Sequence, residues 1–146
     1  AMSALSQKLH LSFDMFNTMM LAREKQTKFL ADLIEQEQIK IVRNNYAPEV
    51  CVLGRSFKKE SNIETGSSAI LLMNILKSRN IPVISYDPKI DVDIKINTKI
   101  QRIYFIGMNH SEFTQYKFNT NSTVIDPYRY IDKDCGAKVI WVGNNV

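Results

Sequence analysis

Between Phe13 and Arg43 apolar residues return every three or four positions, at Phe16, Met19, Met20, Phe29, Leu30, Leu33 and Ile34, with charges between them. No Pro or Gly interrupts the stretch. The spacing predicts one helix of about 30 residues, or two with a break near Thr27, stopped by Asn44-Asn45-Tyr46-Ala47-Pro48. An amphipathic helix of this length needs something to pack on, either the domain that follows or a second copy of itself.

After Pro48 the period changes. Val50-Cys51-Val52-Leu53 is an unbroken apolar run stopped by Gly54, the pattern of a strand buried on both faces. Residues 55–66 are polar, and Ser67 to Arg79 read as a helix with Ile70, Leu71, Met73, Ile75 and Leu76 turned to the core. Pro82 to Tyr86 is a second strand closed by Asp87-Pro88, which makes the segment a βαβ unit with parallel strands. Further strands are predicted at Arg102–Ile106, Val124–Ile125 and Lys138–Val142, closed by Gly107, Asp126-Pro127 and Gly143. Ile90 to Ile96 alternates strictly, as an exposed edge strand or an extended connection does. The fold class is therefore α/β, with a Rossmann-like, mostly parallel sheet of about five strands flanked by helices and preceded by a long amphipathic helix.

Composition narrows this little. With 146 residues, 45% hydrophobic and 23% charged, the chain has the size and balance of one globular domain. Separate cofactor and substrate domains do not fit in that length. No apolar run approaches the roughly 18 residues of a membrane span. The absence of a signal-peptide pattern and of a disulfide framework, with only Cys51 and Cys135, points to a reduced, cytoplasmic setting. The net charge of +4 is uneven: residues 1–50 hold six basic and six acidic side chains, residues 51–146 thirteen and nine. So small an excess, interleaved with acids, suits an anionic small molecule better than nucleic acid.

Ligands of open parallel sheets bind beyond the carboxyl ends of the strands. Those ends read Gly54-Arg55-Ser56-Phe57-Lys58-Lys59, Tyr86-Asp87-Pro88, Gly107-Met108-Asn109-His110 and Asp126-Pro127-Tyr128-Arg129. Arg55, Lys58, Lys59 and Arg129 are thus expected on one rim, and the first loop runs into a helix start at Gly66-Ser67-Ser68. That loop is either a phosphate site or a solvated connection. Neither a G-x-G-x-x-G fingerprint nor a Walker A sequence is present. Cys51 reads as a core residue, Cys135 as a bystander, and His110 as a lone histidine without a matching Asp or Ser. The cluster Met15, Met19 and Met20 suits helix packing or a dimer seam.

Five segments at these strand ends carry a further signal. Val52 to Asn62 matches a "v-l-G-x-x-F-K-x-x-t-x-D" pattern, and Ser67-Ser68 an "R-x-S-p" helix start. Tyr86-Asp87-Pro88 matches "y-D-P", Asn109–Phe113 "x-H-x-e-F", and Ile125–Arg129 "i-D-x-R". In this order the segments resemble the C-terminal, UDP-binding domain of the UDP-glucose/GDP-mannose dehydrogenase family. The long leading helix is similar to the central helix that joins the halves of those enzymes and carries their dimer contact. The likeness runs from about residue 13 to residue 146. The chain departs from the pattern at Thr65-Gly66, where the family has an Arg, at Asn62 and Ile63, where it has an Asp, and near Ala22, where it has an Asn.

The resemblance implies part of an NAD-dependent enzyme that oxidises the C6 alcohol of a nucleotide sugar to a carboxylate in two steps. In that family the NAD fingerprint lies in an N-terminal domain and the catalytic cysteine in a G-G-x-C segment before the central helix. Neither pattern occurs in these 146 residues, and neither Cys51 nor Cys135 follows such a segment, so no catalytic residue is assigned and this chain alone is expected to be inactive. Carried over by position, Phe57 and Lys58, with Lys59 beside them, meet the UDP-sugar, and Arg129 reaches the substrate or cofactor side of the cleft. NAD belongs to the parent enzyme and is not expected on this chain alone. A homodimer through residues 13–43 is implied, with no metal, membrane or nucleic-acid partner. His110 in its motif leans toward the N-acetylhexosamine branch. The expected division is a lead over 1–12, in which Ala1-Met2 reads as a scar of tag removal, a helical region over 13–46 and a UDP-binding-like domain over 47–146. The alternative is a non-catalytic interaction or dimerisation module that keeps the fold without the ligand.

Overall fold

In a computed structural model, which describes residues 2–10, 14–42 and 46–143, a short helix α1 (Met2–Lys8) precedes the long helix α2 (Met15–Ile41). Strand β1 (Val50–Leu53), helix α3 (Ser68–Ser78), β2 (Val83–Tyr86), β3 (Ile103–Ile106), β4 (Thr123–Asp126) and β5 (Lys138–Trp141) follow. A 3₁₀ turn at Ser111–Gln115 stands between β3 and β4. The strands form one sheet in the order β2-β1-β3-β4-β5, with every pair parallel.

The direction of strand addition reverses at β1, and that reversal decides which face each connection covers. Right-handed crossovers place α3, between β1 and β2, on one face of the sheet. The connections β2–β3, β3–β4 and β4–β5 then belong on the other. They do: Phe113, Phe118, Ile131 and Cys135 pack with Cys51, Leu53, Tyr104 and Val124 in one core. The opposite face would be left bare beyond α3. The second half of α2 fills it, with Ala31 and Ile34 packing with Val50, Phe105, Ile125 and the α3 residues Leu72 and Leu76. Helices α2 and α3 therefore share one face, and among the described residues irregular segments with a 3₁₀ turn cover the other.

The long helix is continuous through Thr27, so of the two alternatives the single helix holds. Asp14 caps it by accepting from the Asn17 N–H at 3.0 Å. Its buried stripe is not the one the apolar spacing suggests. Thr27, Ala31, Ile34, Glu37 and Gln38 are buried, while Met19 and Phe29 are 60% and 56% exposed. Polar residues enter the stripe because each has a specific partner: Gln38 Nε2 donates to Pro48 O at 2.9 Å, and Glu37 pairs with Lys40 and Lys138. Burial alone would raise the Glu37 pKa, but these two ammonium groups outweigh it and hold the carboxyl below its usual value.

Other expectations shift in detail. In α3 the fully buried residues are Ala69, Leu72, Met73 and Leu76, whereas Leu71 is only half-buried. The fourth strand is longer than its apolar pair, taking in Thr123 and Asp126, and the last ends at Trp141. Residues 90–96 form turns and an extended connection rather than a strand, because Asp87 O accepts from both Ile90 N and Asp91 N. Helix α1 has no counterpart in the sequence reading. The predicted helix stop at Asn44-Asn45 lies outside the described residues.

Candidate functional site at the carboxyl edge of the sheet

In the strand order 2-1-3-4-5 the crevice opens between β1 and β3, where the connections leave on opposite faces. Two glycines set the distance there. Gly54 has φ +86°, and a Cβ on it would lie 2.8 Å from Met108 N. A Cβ on Gly107 would lie 2.3 Å from Gly54 O, so the two loops cross backbone to backbone.

Two strand-end aspartates shape the rim. Asp126, with no exposed surface, accepts from Tyr128 N at 2.9 Å and from Ile131 N at 2.7 Å, and also from Tyr130 N. This holds the turn that carries Arg129 at φ +54°, a left-handed conformation costly for a residue with a side chain. Asp87, equally buried, accepts from Arg55 N (2.8 Å), Ser56 N (3.0 Å) and Lys89 N (2.9 Å). Burial would push the Asp87 pKa up, yet these N–H groups and His110 prevail and lower it.

His110 is not alone, contrary to expectation. Its Nε2 lies 2.9 Å from Ser56 Oγ and 3.1 Å from Asp87 Oδ2, and its Nδ1 accepts from Glu60 N at 3.0 Å. The grouping of Ser, His and Asp does not make a hydrolytic triad. In such triads the carboxylate and the hydroxyl sit on different ring nitrogens. Here both sit on Nε2, Ser56 Oγ donates to Lys58 O at 3.0 Å, and all three side chains are buried. The cluster ties the ends of β1, β2 and β3 together. The signal was present in the sequence, since each member follows a strand end, but only the topology brings them into contact.

The four expected cations part company. Arg55 is taken up in ion pairs with Glu64 and Asp91 and is not free to meet a ligand. Phe57 is 48% exposed, with its ring lying over Gly66 at the start of α3. Lys58 is exposed and, among the described residues, its side chain makes no hydrogen bond or ion pair. Lys59 Nζ lies 3.4 Å from Tyr130 Oη and 5.1 Å from the centre of that ring, joining the first loop to the turn bearing Arg129. Arg129 is exposed, with its guanidinium beside Gly143. Lys58, Lys59 and Arg129 thus stand on an open rim. Lys89 is a fifth cation nearby, bridging Glu60 and Glu112 at 2.7 and 2.6 Å. It holds the exposed Glu60 carboxyl down at about 2, with help from the Ser111 N–H.

Two cavities adjoin the rim, and neither is lined by Phe57, Lys58, Lys59 or Arg129. One of about 280 Å³ lies on the helical face between Arg23, Thr27 and Leu30 of α2, Ser68 and Ala69 of α3, and Gly107 and Tyr128. Arg23 Nη2 donates to Gly66 O at 2.6 Å, so a guanidinium from α2 stands beside the place where the Thr65-Gly66 pair lacks one. The other, about 690 Å³, lies on the opposite face between Tyr86, Pro88, Ile96, Glu112 and Tyr116. Cys51 is fully buried, and burial pushes its thiol up to about 12, so it is no nucleophile. Cys135 is buried as well. Among the described residues no group of His, Cys, Asp and Glu has the arrangement of a metal site, and no helix is long and apolar enough to cross a membrane.

Sequence comparison leaves the chain unplaced: it matches no model of a known protein family and no curated protein. Solved structures do match. Two structures of the UDP-N-acetyl-mannosamine dehydrogenase Cap5O from Staphylococcus aureus superpose on it with TM-scores of 0.60 and 0.58, at 20% and 18% sequence identity. The chain shares its fold with part of a UDP-sugar dehydrogenase. In both cases the match covers 79% of this chain and 29% of Cap5O, so the chain corresponds to less than a third of that protein's length. At this identity the likeness to Cap5O is one of fold.

Proposed function

We propose that this chain is the nucleotide-sugar-binding domain, with the adjoining central helix, of a UDP-sugar 6-dehydrogenase. The observation that carries the reading is the meeting of two independent lines. The fold is shared with part of Cap5O, and the strand-end motifs that resemble the dehydrogenase family fall on one rim, where Lys58, exposed and without an ion pair among the described residues, lies next to Phe57. On this reading the Lys58 ammonium, with Lys59 and Arg129, meets the diphosphate of UDP, and the exposed Phe57 ring offers an apolar face to the nucleotide or sugar. By the family resemblance, Arg129 would also reach the cofactor side of the cleft. NAD would be held by such a domain in the parent enzyme and would take up the hydride there. No step of the oxidation is assigned to residues of this chain. Residues 13–43 would supply a homodimer contact, for which Met15, Met19, Met20 and Leu21, all at least half exposed, offer the apolar surface.

One observation favours a second reading, a non-catalytic interaction module: the three rim cations stand outside both cavities, and Arg55 is neutralised by its partners. Thermal melting separates the two. A binder gains stability by mass action, by about 2.7 kcal/mol at a hundredfold excess of ligand over Kd. A rise in melting temperature with UDP that is lost in Lys58→Ala supports the binding domain. No rise with millimolar UDP or UDP-sugars supports the module.

A further inference from the structure

The His110 cluster does more than brace the sheet edge, because the hydrogen bonds around it fix which nitrogen carries the proton. Ser56 Oγ spends its one proton on Lys58 O, so it can only accept from Nε2, and the Asp87 carboxylate beside it can only accept as well. Nε2 therefore bears hydrogen. At the other side of the ring the Glu60 N–H points at Nδ1, which must be bare to receive it. The first loop is thus gripped twice by one imidazole, at Ser56 and at Glu60, and Phe57, Lys58 and Lys59 lie between the two grips. Glu60 itself holds φ +59°, a conformation that needs such a restraint.

We propose that His110 is a positioning residue: its neutral Nε2–H form holds the Phe57–Lys59 segment in its binding shape, and protonation of Nδ1 releases the segment and weakens anion binding at the rim. The second half rests on the nucleotide-sugar reading above, while the first stands without it.

Charged groups from four elements face the ring. Asp87, from the end of β2, draws positive charge, but it acts through Nε2, where a proton already sits. The Glu60 carboxylate is turned away to Ser111 N at 3.0 Å and to Lys89. Lys89, from the β2–β3 connection, is shared between Glu60 and Glu112, and Arg55 is bound to Asp91. The Phe113 ring, from the 3₁₀ turn, lies 5.8 Å from the imidazole and offers no acceptor in its plane. A second proton on the ring would have no acceptor at Nδ1 and would face the Glu60 N–H, so it is accommodated only by moving the loop.

Nuclear magnetic resonance of the ¹⁵N-labelled chain between pH 8 and pH 5 tests this. The expected result is an Nδ1 resonance of a bare, accepting nitrogen at pH 8, and Lys58, Lys59 and Glu60 amide signals that shift on acidification with the midpoint of the imidazole itself. Calorimetry over the same range with UDP-glucose, whose diesterified diphosphate does not titrate there, should show affinity falling about tenfold, the equivalent of one lost hydrogen bond. His110→Asn keeps an oxygen that can accept from Glu60 N and does not titrate, so it should abolish that fall. Loop amides that stay in place while the imidazole titrates would overturn the proposal, as would an imidazole with no titration over this range. The wild-type amides decide this even if the variant fails to fold. If they follow the imidazole and UDP-glucose gives no heat at any pH, the positioning role stands and the nucleotide-sugar reading fails.

Discussion

Replacing Asp126 by alanine removes the acceptor on which the Arg129 turn is built. The carboxylate has no exposed surface and receives three backbone N–H groups, two on Oδ2 (Tyr130 and Ile131) and one on Oδ1 (Tyr128). Ile131 is itself buried at 2% exposure, so its N–H would be left without water or partner, at a cost of about 1–3 kcal/mol. Tyr128 is exposed and Tyr130 half-buried, and water can replace part of what their N–H groups lose, leaving about 0.5–1 kcal/mol each. The sum is about 2–5 kcal/mol, which for a domain of this size lowers the melting temperature by about 6–15 °C. Asp126→Asn serves as the internal control. With its oxygen turned to Tyr130 and Ile131 it keeps two of the three bonds, and should lose about half as much. Thermal unfolding followed by far-ultraviolet circular dichroism measures both. An alanine variant that melts within about 2 °C of the parent would show that the carboxylate does not organise the turn, and the account of how Arg129 is placed would fail.

Three further outcomes are expected. Because the folded Asp87 pKa is lowered, its contribution to stability is present above the carboxyl's unfolded value of about 3.9 and is lost as pH falls through the folded value, so denaturant midpoints should drop steeply below about pH 4. Asp87→Asn should be less stable at neutral pH and show a flatter decline, and an unchanged acid profile would contradict this. Arg129→Gly should relieve the left-handed strain and hold or raise stability by up to about 1 kcal/mol while weakening UDP binding, a split that melting and calorimetry resolve together. Gly107→Ala should fail to fold stably, since its methyl would meet Gly54 O at 2.3 Å, and a soluble variant with native melting would refute that close approach.

The parts of the fold that could be read in the chain are those set by local pattern. Short, mainly apolar runs closed by glycine or Asp-Pro marked every strand, though only a pair of residues marked β4, and the reversal of strand order needed only the handedness of crossovers to place each connection. What escaped was decided by partners distant in sequence. Thr27, Glu37 and Gln38 occupy the buried stripe of α2 because Pro48 and Lys138 satisfy the last two, whereas the more apolar Phe29 faces outward. At the rim, the positions of Phe57, Lys58, Lys59 and Arg129 followed from strand ends, but the fate of Arg55 did not, since Asp91 lies 36 residues away. The same holds for His110, whose partners Ser56 and Asp87 belong to two other strand ends.

On the proposed reading, the rim around Lys58 receives the diphosphate of a nucleotide sugar. The decisive experiment is isothermal titration of the chain with UDP, and with UDP-glucose and a UDP-N-acetylhexosamine in parallel. Saturable binding is predicted, weakened about five- to tenfold in Lys58→Ala, as for the loss of one exposed charge-assisted hydrogen bond. No heat with any of the three at millimolar concentration, or equal affinity in Lys58→Ala, would contradict it.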